Sequence, residues 1–306
     1  MARILITGAS GMLGINLAME ALGGHEVIGV DRGKLKSAPF PVIKANFFDR
    51  NVFEPALQST RPDWVINCAA LANLEECEKH SGQAKILNAD LPRDLATACA
   101  RQGIKFVHLS TDAVFDGTGE AIYTEEDEPN PQSIYAQTKL DGESAVQEAN
   151  PLAIIARVNF FGWSLGGRRS LAEFFFHNLS EGKNVNGFTD VIFCPMWVTD
   201  LSRTLIDMLE KNLSGIYHVV GSQAISKYQF GLEVARRFGL RESLISPQSV
   251  EQSSLTAKRS HNLWLSIHKL STDLGREIPS VSTGLDGFYT LFQQGYPQTI
   301  RSYQQL

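Results

Sequence analysis

A glycine-rich turn near the start of the chain constrains the fold more than any other feature. The apolar run from Arg3 to Ile6 predicts a buried parallel strand, and a helical pattern follows as far as Leu22. Between them lies Gly8-Ala-Ser-Gly-Met-Leu-Gly14, with Gly-x-x-Gly-x-x-Gly spacing. Gly8 permits a tight turn, Gly11 lets the backbone approach a bound group closely, and Gly14 lets the helix pack on the strand. The order strand, turn, helix predicts the first unit of a doubly wound parallel sheet.

The same turn predicts a binding site for the diphosphate of a dinucleotide. The amino terminus of the following helix would add backbone N–H donors and positive potential to the glycine-rich loop. The loop residues assigned to this site are Gly8, Ser10, Gly11, Met12, Leu13 and Gly14. The alternative is an ordinary strand-to-helix turn in which the glycines are incidental.

Asp31, at the end of the second predicted strand, indicates which dinucleotide binds. It lies roughly 20 residues beyond the glycines, where a carboxylate can accept from a ribose 2′-hydroxyl and would repel a 2′-phosphate. Arg32 follows directly and could attract that phosphate. The pair predicts NAD or NADP as cofactor, with NAD favoured.

Two further predicted strands end in residues suited to the flat rings of a dinucleotide. Asn46 and Phe47 follow the third strand, where an amide can bind the adenine amino group; the alternative for Asn46 is a cap on the next helix. The strand from Trp64 to Asn67 is followed by three small residues that leave room for a cofactor: Cys68, Ala69 and Ala70. Asn88, late in a predicted helix, is either a buried polar bridge or a helix end.

Tyr135 and Lys139 carry the most specific chemical signal. Four residues apart on a predicted helix, they share one face, and the ammonium would lower the pKa of the phenol from about 10. Such a pair can give or take a proton. Ser110, Thr111 and Asp112 end the preceding strand, at the sheet edge where active sites lie, and the Thr111 hydroxyl can bind a carbonyl oxygen. The alternatives are a solvated tyrosine over a lysine stem, and a Ser110 or Thr111 that only caps a turn.

Size and composition restrict the class of protein. Alternating strands and helices predict a doubly wound parallel sheet over residues 1–160, then a smaller C-terminal α/β substrate lobe over 161–306, with later segments returning to the sheet. The net charge of −5 argues against a nucleic acid partner. Four scattered cysteines predict core thiols and no metal site. No apolar run reaches membrane-spanning length, and the predicted location is cytoplasmic.

Together these motifs resemble those of the extended short-chain dehydrogenase/reductase family. The resemblance spans residues 1 to about 220. Within that family, five blocks are similar to dTDP-4-dehydrorhamnose reductases: Asn67-Cys-Ala-Ala70, Leu87-Asn-Ala89, Ser110-Thr-Asp-Ala-Val-Phe-Asp-Gly117, Tyr135-Ala-Gln-Thr-Lys-Leu-Asp-Gly-Glu143 and Pro195-Met-Trp-Val-Thr-Asp200. The resemblance implies a Rossmann-type fold and an NAD(P)-dependent oxidoreductase that reduces a nucleotide-linked 4-keto sugar.

The resemblance also implies roles for individual residues. Tyr135 would protonate the carbonyl oxygen as hydride leaves the nicotinamide, Lys139 would bind the nicotinamide ribose, and Thr111 would bind the reacting oxygen. Independently of the resemblance, their charge makes Arg168 or Arg169 a candidate for binding substrate phosphates; the alternative is that both only solvate a loop. The remaining implied cofactor contacts are Asn88, Ser110, Arg157 and Val158, and the implied substrate contacts are Asp112, Val114, Phe115, Phe160 and Trp197.

Three positions depart from the pattern of those reductases. Ala113 replaces a tyrosine, Ala72 a threonine, and Phe160 a frequent tryptophan, and all three flank the substrate in that family. The sugar is therefore expected to differ from dTDP-4-dehydrorhamnose. Two other functions fit the motifs: a sugar-nucleotide epimerase or dehydratase, and a regulatory subunit similar to the β subunit of methionine adenosyltransferase. The oligomeric state is left open, with a homodimer as one candidate.

Overall fold

The chain folds around a seven-stranded parallel sheet with helices on both faces. The computed structural model describes residues 1–33, 35–49, 53–119, 122–253 and 259–304. The strands in these ranges are β1 (Arg3–Thr7), β2 (Glu26–Asp31), β3 (Val42–Lys44), β4 (Trp64–Asn67), β5 (Lys105–Thr111), β6 (Ile154–Val158), β7 (Phe160–Phe161), β8 (Val185–Phe188), β9 (Ile192–Phe193), β10 (Met196–Trp197), β11 (Gly215–Val219), β12 (Ile225–Ser226), β13 (Ile245–Gln248) and β14 (Asn262–Leu263).

Helices connect most of these strands. They are α1 (Met12–Ala21), α2 (Phe53–Thr60), α3 (Leu74–Lys79), α4 (Ser81–Lys85), α5 (Leu91–Gln102), α6 (Ile134–Ala149), α7 (Leu171–Ser180), α8 (Val198–Glu210), α9 (Lys227–Arg237), α10 (His268–Leu274), α11 (Val281–Gln293) and α12 (Tyr296–Ser302). A π-helical turn, Ile86–Asp90, joins α4 to α5, and 3₁₀ turns span Asp112–Val114, Glu242–Leu244 and Val250–Gln252.

The strand order of the main sheet is β11-β6-β5-β4-β1-β2-β3, and every neighbouring pair is parallel. The chain runs outward from β1 to β3, then crosses to β4 on the other side of β1. This reversal opens a crevice at the carboxyl ends of β1 and β4, where ligands of such sheets bind. The predicted Rossmann-type doubly wound sheet is confirmed.

Strand β1 explains how the sheet is held between two cores. Side chains alternate along a strand, so Ile4 and Ile6 enter one apolar cluster while Leu5 enters the other. The first cluster continues into the C-terminal segments and includes Phe230 and Phe288. Because this core is shared, and because β11 pairs with β6, the later chain is packed as one body with the sheet; a domain boundary at residue 160 stays a prediction.

Short strands and helices build the rest of the C-terminal part. Strand β7 pairs with β10, β13 pairs with β8, and β9 lies between β12 and β14. Helix α7 begins with a capping box, in which Ser170 accepts from the Glu173 backbone N–H and Glu173 accepts from the Ser170 N–H. Strand β7 directly follows β6, so this part of the chain begins at the carboxyl end of the main sheet.

Candidate functional site

A cleft of about 350 Å³ opens at this crevice. Its walls gather most of the residues that the sequence singles out: Gly8, Ser10, Gly11, Met12, Leu13, Gly14, Asp31, Arg32, Phe47, Cys68, Ala69, Ala70, Ser110, Thr111, Asp112, Tyr135, Lys139, Val158 and Phe160. Ala72, Asn159 and Arg169 line it as well. Leu87 and Leu109 are further lining residues that sequence reasoning missed, because an apolar side chain carries no chemical signal.

Two glycines of the glycine-rich turn lie too close to other backbone atoms to carry a side chain. A Cβ on Gly8 (φ +67°) would lie 2.8 Å from the Ala69 nitrogen, and one on Gly14 would lie 2.3 Å from the Gly8 carbonyl oxygen. Helix α1 starts after Gly11, which offers no side-chain acceptor to the first N–H groups. Those donors therefore suit an anion at the helix terminus, as a dinucleotide diphosphate requires.

Asp31 links the glycine-rich turn to the next strand end. Its carboxylate, 3 % exposed, accepts from the backbone N–H of Ser10 and of Gly33, both at 3.0 Å. Asp31 thus holds the glycine-rich loop in place and also lines the cleft. The exposed Arg32, the next residue, lines the cleft as well. A preference for NAD over NADP stays a prediction.

Thr111, Tyr135 and Lys139 converge on one wall of the cleft. The Lys139 ammonium is buried and donates to the Leu109 carbonyl oxygen; burial lowers its pKa to about 8, against an opposing effect of Glu143. Burial raises the pKa of Tyr135 to about 12, while interaction with the Thr111 hydroxyl acts to lower it. The structure therefore differs from the expected lysine-lowered phenol pKa, because desolvation of the phenolate is the larger effect.

Close packing of α6 fixes this wall. Asn88, in the π-helical turn, accepts from the Leu71 N–H at 2.9 Å and donates to the Thr138 hydroxyl at 3.1 Å. A Cβ on Gly142 would lie 2.1 Å from the Asn88 carbonyl oxygen. Asn88 is therefore the polar bridge of the two alternatives, and it supports the cleft wall without lining the cleft. Irregular π turns often occur at functional sites.

Asp112 and Asn159 form a polar pair at the far end of the cleft. The Asn159 amide donates to the Asp112 carboxylate at 2.5 Å. Burial raises the pKa of Asp112, with the hydrogen bonds from Asn159 and Thr111 acting to lower it.

Arg169 lines the same cleft, whereas Arg168 lines a separate surface pocket beside His177.

Three predicted substrate contacts lie elsewhere. Val114 and Phe115 are fully buried in a small core cluster, because the 3₁₀ turn Asp112–Val114 directs the chain inward, and Phe115 stacks on Tyr123. The Trp197 ring packs over Gly287 of α11: a Cβ on that glycine would lie 2.4 Å from the ring. None of these three side chains lines the cleft.

Two predicted cofactor contacts also lie off the cleft. The Asn46 side chain accepts from the Phe48 N–H at 3.2 Å within its own turn. The next residue, Phe47, lines the cleft in its stead. Arg157 is buried behind the wall in an ion pair with Glu143, while its neighbour Val158 lines the cleft. Alternation along β6 puts the two side chains on opposite faces.

The described residues contain no group of three or more His, Cys, Asp or Glu side chains placed to hold a metal ion. In the same ranges no helix combines the length and apolar character needed to cross a membrane. Of the cysteines, Cys68 is partly exposed in the cleft, and Cys77, Cys99 and Cys194 are buried free thiols.

Comparison with known proteins decides the family. The chain matches the RmlD substrate binding domain over residues 2–293. The protein belongs to this family. The resemblance to extended short-chain dehydrogenases/reductases of the dTDP-4-dehydrorhamnose reductase type is thereby confirmed.

Individual relatives cover nearly the whole chain. A probable low-salt glycan biosynthesis reductase, Agl14, of Haloferax volcanii is 30 % identical over 292 residues, 94 % of this chain and 97 % of its own. The methionine adenosyltransferase 2 subunit beta of Bos taurus is 30 % identical over 288 residues, 90 % of this chain and 84 % of its own.

A solved structure extends the comparison to three dimensions. The dTDP-4-dehydrorhamnose reductase from Bacillus anthracis, in complex with NADP, is 26 % identical with a TM-score of 0.85, covering 94 % of this chain and 99 % of that one. The prediction of an NAD(P)-dependent oxidoreductase is confirmed at the level of the family. The family also contains the β subunit, so membership alone does not select a substrate.

Proposed function

We propose that this protein is an NAD(P)-dependent reductase of a nucleotide-linked 4-keto sugar. The observation that carries the proposal is the convergence of Thr111, Tyr135 and Lys139 on a cleft whose other end is the glycine-rich turn. Ketone reduction requires three groups of a protein: a proton donor, a charged group that stabilises the donor after it has lost its proton, and a hydroxyl that binds the reacting oxygen. The reductases among the relatives support the same assignment.

The residues of the cleft fit the cofactor. The turn from Gly8 to Gly14 would bind the diphosphate, Asp31 or Arg32 the adenosine ribose, and Lys139 the nicotinamide ribose. When bound, the reduced nicotinamide supplies a hydride. Asp31 favours NADH in this proposal, whereas the B. anthracis relative is in complex with NADP. Fluorescence titration with both reduced cofactors tests the preference, and tighter NADPH binding would assign the ribose site to Arg32.

The side chains of the cleft would then supply the proton that the carbonyl oxygen takes up. Because burial raises the pKa of Tyr135 to about 12, its phenol keeps the proton at neutral pH and can donate it to the carbonyl oxygen as the carbon accepts hydride. Thr111 would donate a hydrogen bond to that oxygen in place of the one that its hydroxyl donates to Asp112 in the free protein. Lys139, charged below pH about 8, would stabilise the phenolate that remains.

The substrate end supports a sugar other than dTDP-4-dehydrorhamnose. Ala72 and Phe160 line the cleft, so the smaller and less polar side chains at these departures alter the wall that a sugar would meet. A wall without those donors leaves sugar hydroxyls unpaired and loses discrimination. Arg169 is the proposed partner of the substrate diphosphate. Comparison of kcat/KM across a panel of nucleotide-linked keto sugars tests this, and full efficiency on dTDP-4-dehydrorhamnose would contradict it.

Replacing Tyr135 by phenylalanine tests the chemistry. Tyr135→Phe is expected to lower turnover by roughly 10²–10⁴, the usual contribution of a general acid, and to leave NAD(P)H binding nearly intact. Tyr289→Phe, on α11 outside the cleft lining, is the matched control. Unchanged turnover in Tyr135→Phe on the true substrate would remove this residue from the mechanism.

Two other functions are separated by the same assays. An epimerase or dehydratase retains its nicotinamide through the cycle, so stoichiometric oxidation of NAD(P)H favours the reductase. The 30 % identity to the bovine β subunit favours a regulatory role as the second candidate. Tight binding to a methionine adenosyltransferase catalytic subunit, without turnover of any keto sugar, would support it. A cytoplasmic location is part of the reductase proposal. A homodimer is one candidate for the oligomeric state.

A further inference from the structure

Glu143 lies on α6 one turn beyond Lys139 and two turns beyond Tyr135. Residues four apart on a helix share a face, so the three side chains follow one stripe of α6. Glu143 is 2 % exposed and takes no part in the chemistry derived above. A carboxylate this deeply buried beside a reaction centre requires an explanation, because its desolvation is costly.

The Glu143 carboxylate joins the cleft to strand β6. The Ser110 hydroxyl, which lines the cleft, donates to Oε1. Arg157 donates through Nε to Oε1 at 3.1 Å and through Nη2 to Oε2 at 2.8 Å. The Arg157 guanidinium in turn lies 5.0 Å from the centre of the Phe115 ring. Both carboxylate oxygens are thus held in fixed positions, with no solvent to screen their charge.

Within the described ranges, three side chains act to raise the pKa of Lys139, and of these Glu143 is the one that is anionic at neutral pH. Burial raises the pKa of the Cys68 thiol to about 12 and that of Cys77 to about 11, so both thiols are neutral. Burial keeps the pKa of His108, on β5, well below its usual value, so this ring is neutral too. The Tyr135 phenol also keeps its proton.

We propose that Glu143 is a positioning residue of the reaction: its carboxylate holds the Lys139 ammonium in its charged form and turns the Ser110 proton away from the cleft. The Ser110 oxygen then presents a lone pair to the cleft. The buried Arg157 is the counter-charge that fixes the carboxylate and limits its attraction for Lys139. The inference about catalysis rests on the proposed function, whereas the effect on the Lys139 charge does not.

The charge of Lys139 can be followed directly in the cofactor-free protein. Lysine labelled with ¹³C at Cε is titrated by NMR, and Lys139→Met identifies the resonance. Glu143→Gln is expected to move the titration midpoint of Lys139 down by about one pH unit or more, because an adjacent buried anion is lost. Arg157→Met is expected to move it up, because the anion is no longer compensated. Glu148→Gln, an exposed position on the same helix, is the matched control and should leave it unchanged.

The opposite directions distinguish an electrostatic role from structural damage. A midpoint that is unchanged in Glu143→Gln, or that moves the same way in both variants, overturns the proposal. Should Glu143→Gln fail to fold because Arg157 is left unpaired, the double variant E143Q/R157M removes both charges. Its midpoint must then lie below that of Arg157→Met alone, and an equal or higher value overturns the proposal.

A second measurement separates this inference from the proposed function. If Lys139 acts in turnover as its charged form, the alkaline limb of kcat/KM should move with the NMR midpoint in each variant. A shifted midpoint with an unmoved limb would remove Lys139 from the reaction while leaving the Glu143 effect established. A limb that moves without the midpoint would contradict the role of Glu143.

Discussion

Replacing Lys139 by methionine is expected to stabilise the fold at neutral pH although it removes a residue of the proposed site. Burial lowers the pKa of Lys139 from 10.5 to about 8, a difference of about 2.5 pH units. At about 1.36 kcal/mol per unit, the buried charge costs roughly 3 kcal/mol of folding free energy. The sign follows from proton counts: between pH 8 and 10.5 the unfolded chain binds more protons than the folded protein, so the wild type gains stability as pH rises.

The variant should therefore differ from the wild type by an amount that depends on pH. With a pKa of 10.5 in the unfolded chain and about 8 in the folded protein, nearly the whole penalty is present at pH 7 and most of it is gone by pH 10. Losing the hydrogen bond to the Leu109 carbonyl costs about 1 kcal/mol at every pH. The net expectation is a gain in unfolding free energy of about 2 kcal/mol at pH 7, and a small loss at pH 10.

Urea unfolding of the variant and the wild type, followed by circular dichroism at pH 7 and pH 10, measures how their difference in unfolding free energy changes with pH. Lys211→Met, an exposed lysine after α8, is the control and should show no pH-dependent difference from the wild type. An unfolding free energy difference for Lys139→Met that is equal at pH 7 and pH 10 would refute the reasoning. A variant that is more stable yet inactive would be an instance of a functional site maintained at the expense of stability.

Three further outcomes are expected. Gly14→Ala should weaken NAD(P)H binding at least tenfold by titration, because its Cβ would lie 2.3 Å from the Gly8 carbonyl; Gly24→Ala, with open space around its Cβ, should not. Gly142→Ala should lower the unfolding free energy by about 1–3 kcal/mol and reduce kcat, by pushing α6 off Asn88. Turnover should fall above pH about 8 as the lysine in the cleft loses its proton, measured as the alkaline limb of kcat/KM.

The parts of the site that sequence predicts well are those tied to strand ends. A glycine-rich turn, Asp31 and Thr111 each follow an apolar run, and parallel register brings the carboxyl ends of those runs to one edge. Backbone geometry alone then places the residues around one cleft. Helical spacing did the same for Tyr135 and Lys139, because four residues define one face whatever the tertiary contacts are.

The parts that sequence misplaces depend on packing. Phe115 and Trp197 follow the expected motifs but pack into the core and against α11, since apolar side chains go wherever a cavity fits them. The direction of the Tyr135 pKa was predicted wrongly, because it depends on burial, which a neighbouring lysine in the sequence does not reveal. Glu143 was missed although a signal existed: it continues the stripe of Tyr135 and Lys139 by one turn.

The wall behind the cleft contains more buried charge than a stable fold requires. Lys139, Glu143 and Arg157 are each about 2 % exposed, and replacing buried ion pairs by apolar residues often stabilises a protein. Such charges persist in a fold when something else depends on them, and here Lys139 and Glu143 lie on the stripe of α6 that begins at Tyr135. The close approach of Gly142 to the π-helical turn excludes water from the same wall, which strengthens each of these interactions. Burial therefore has two effects, because it raises the energetic cost of the charges and strengthens their interaction with the phenol of Tyr135.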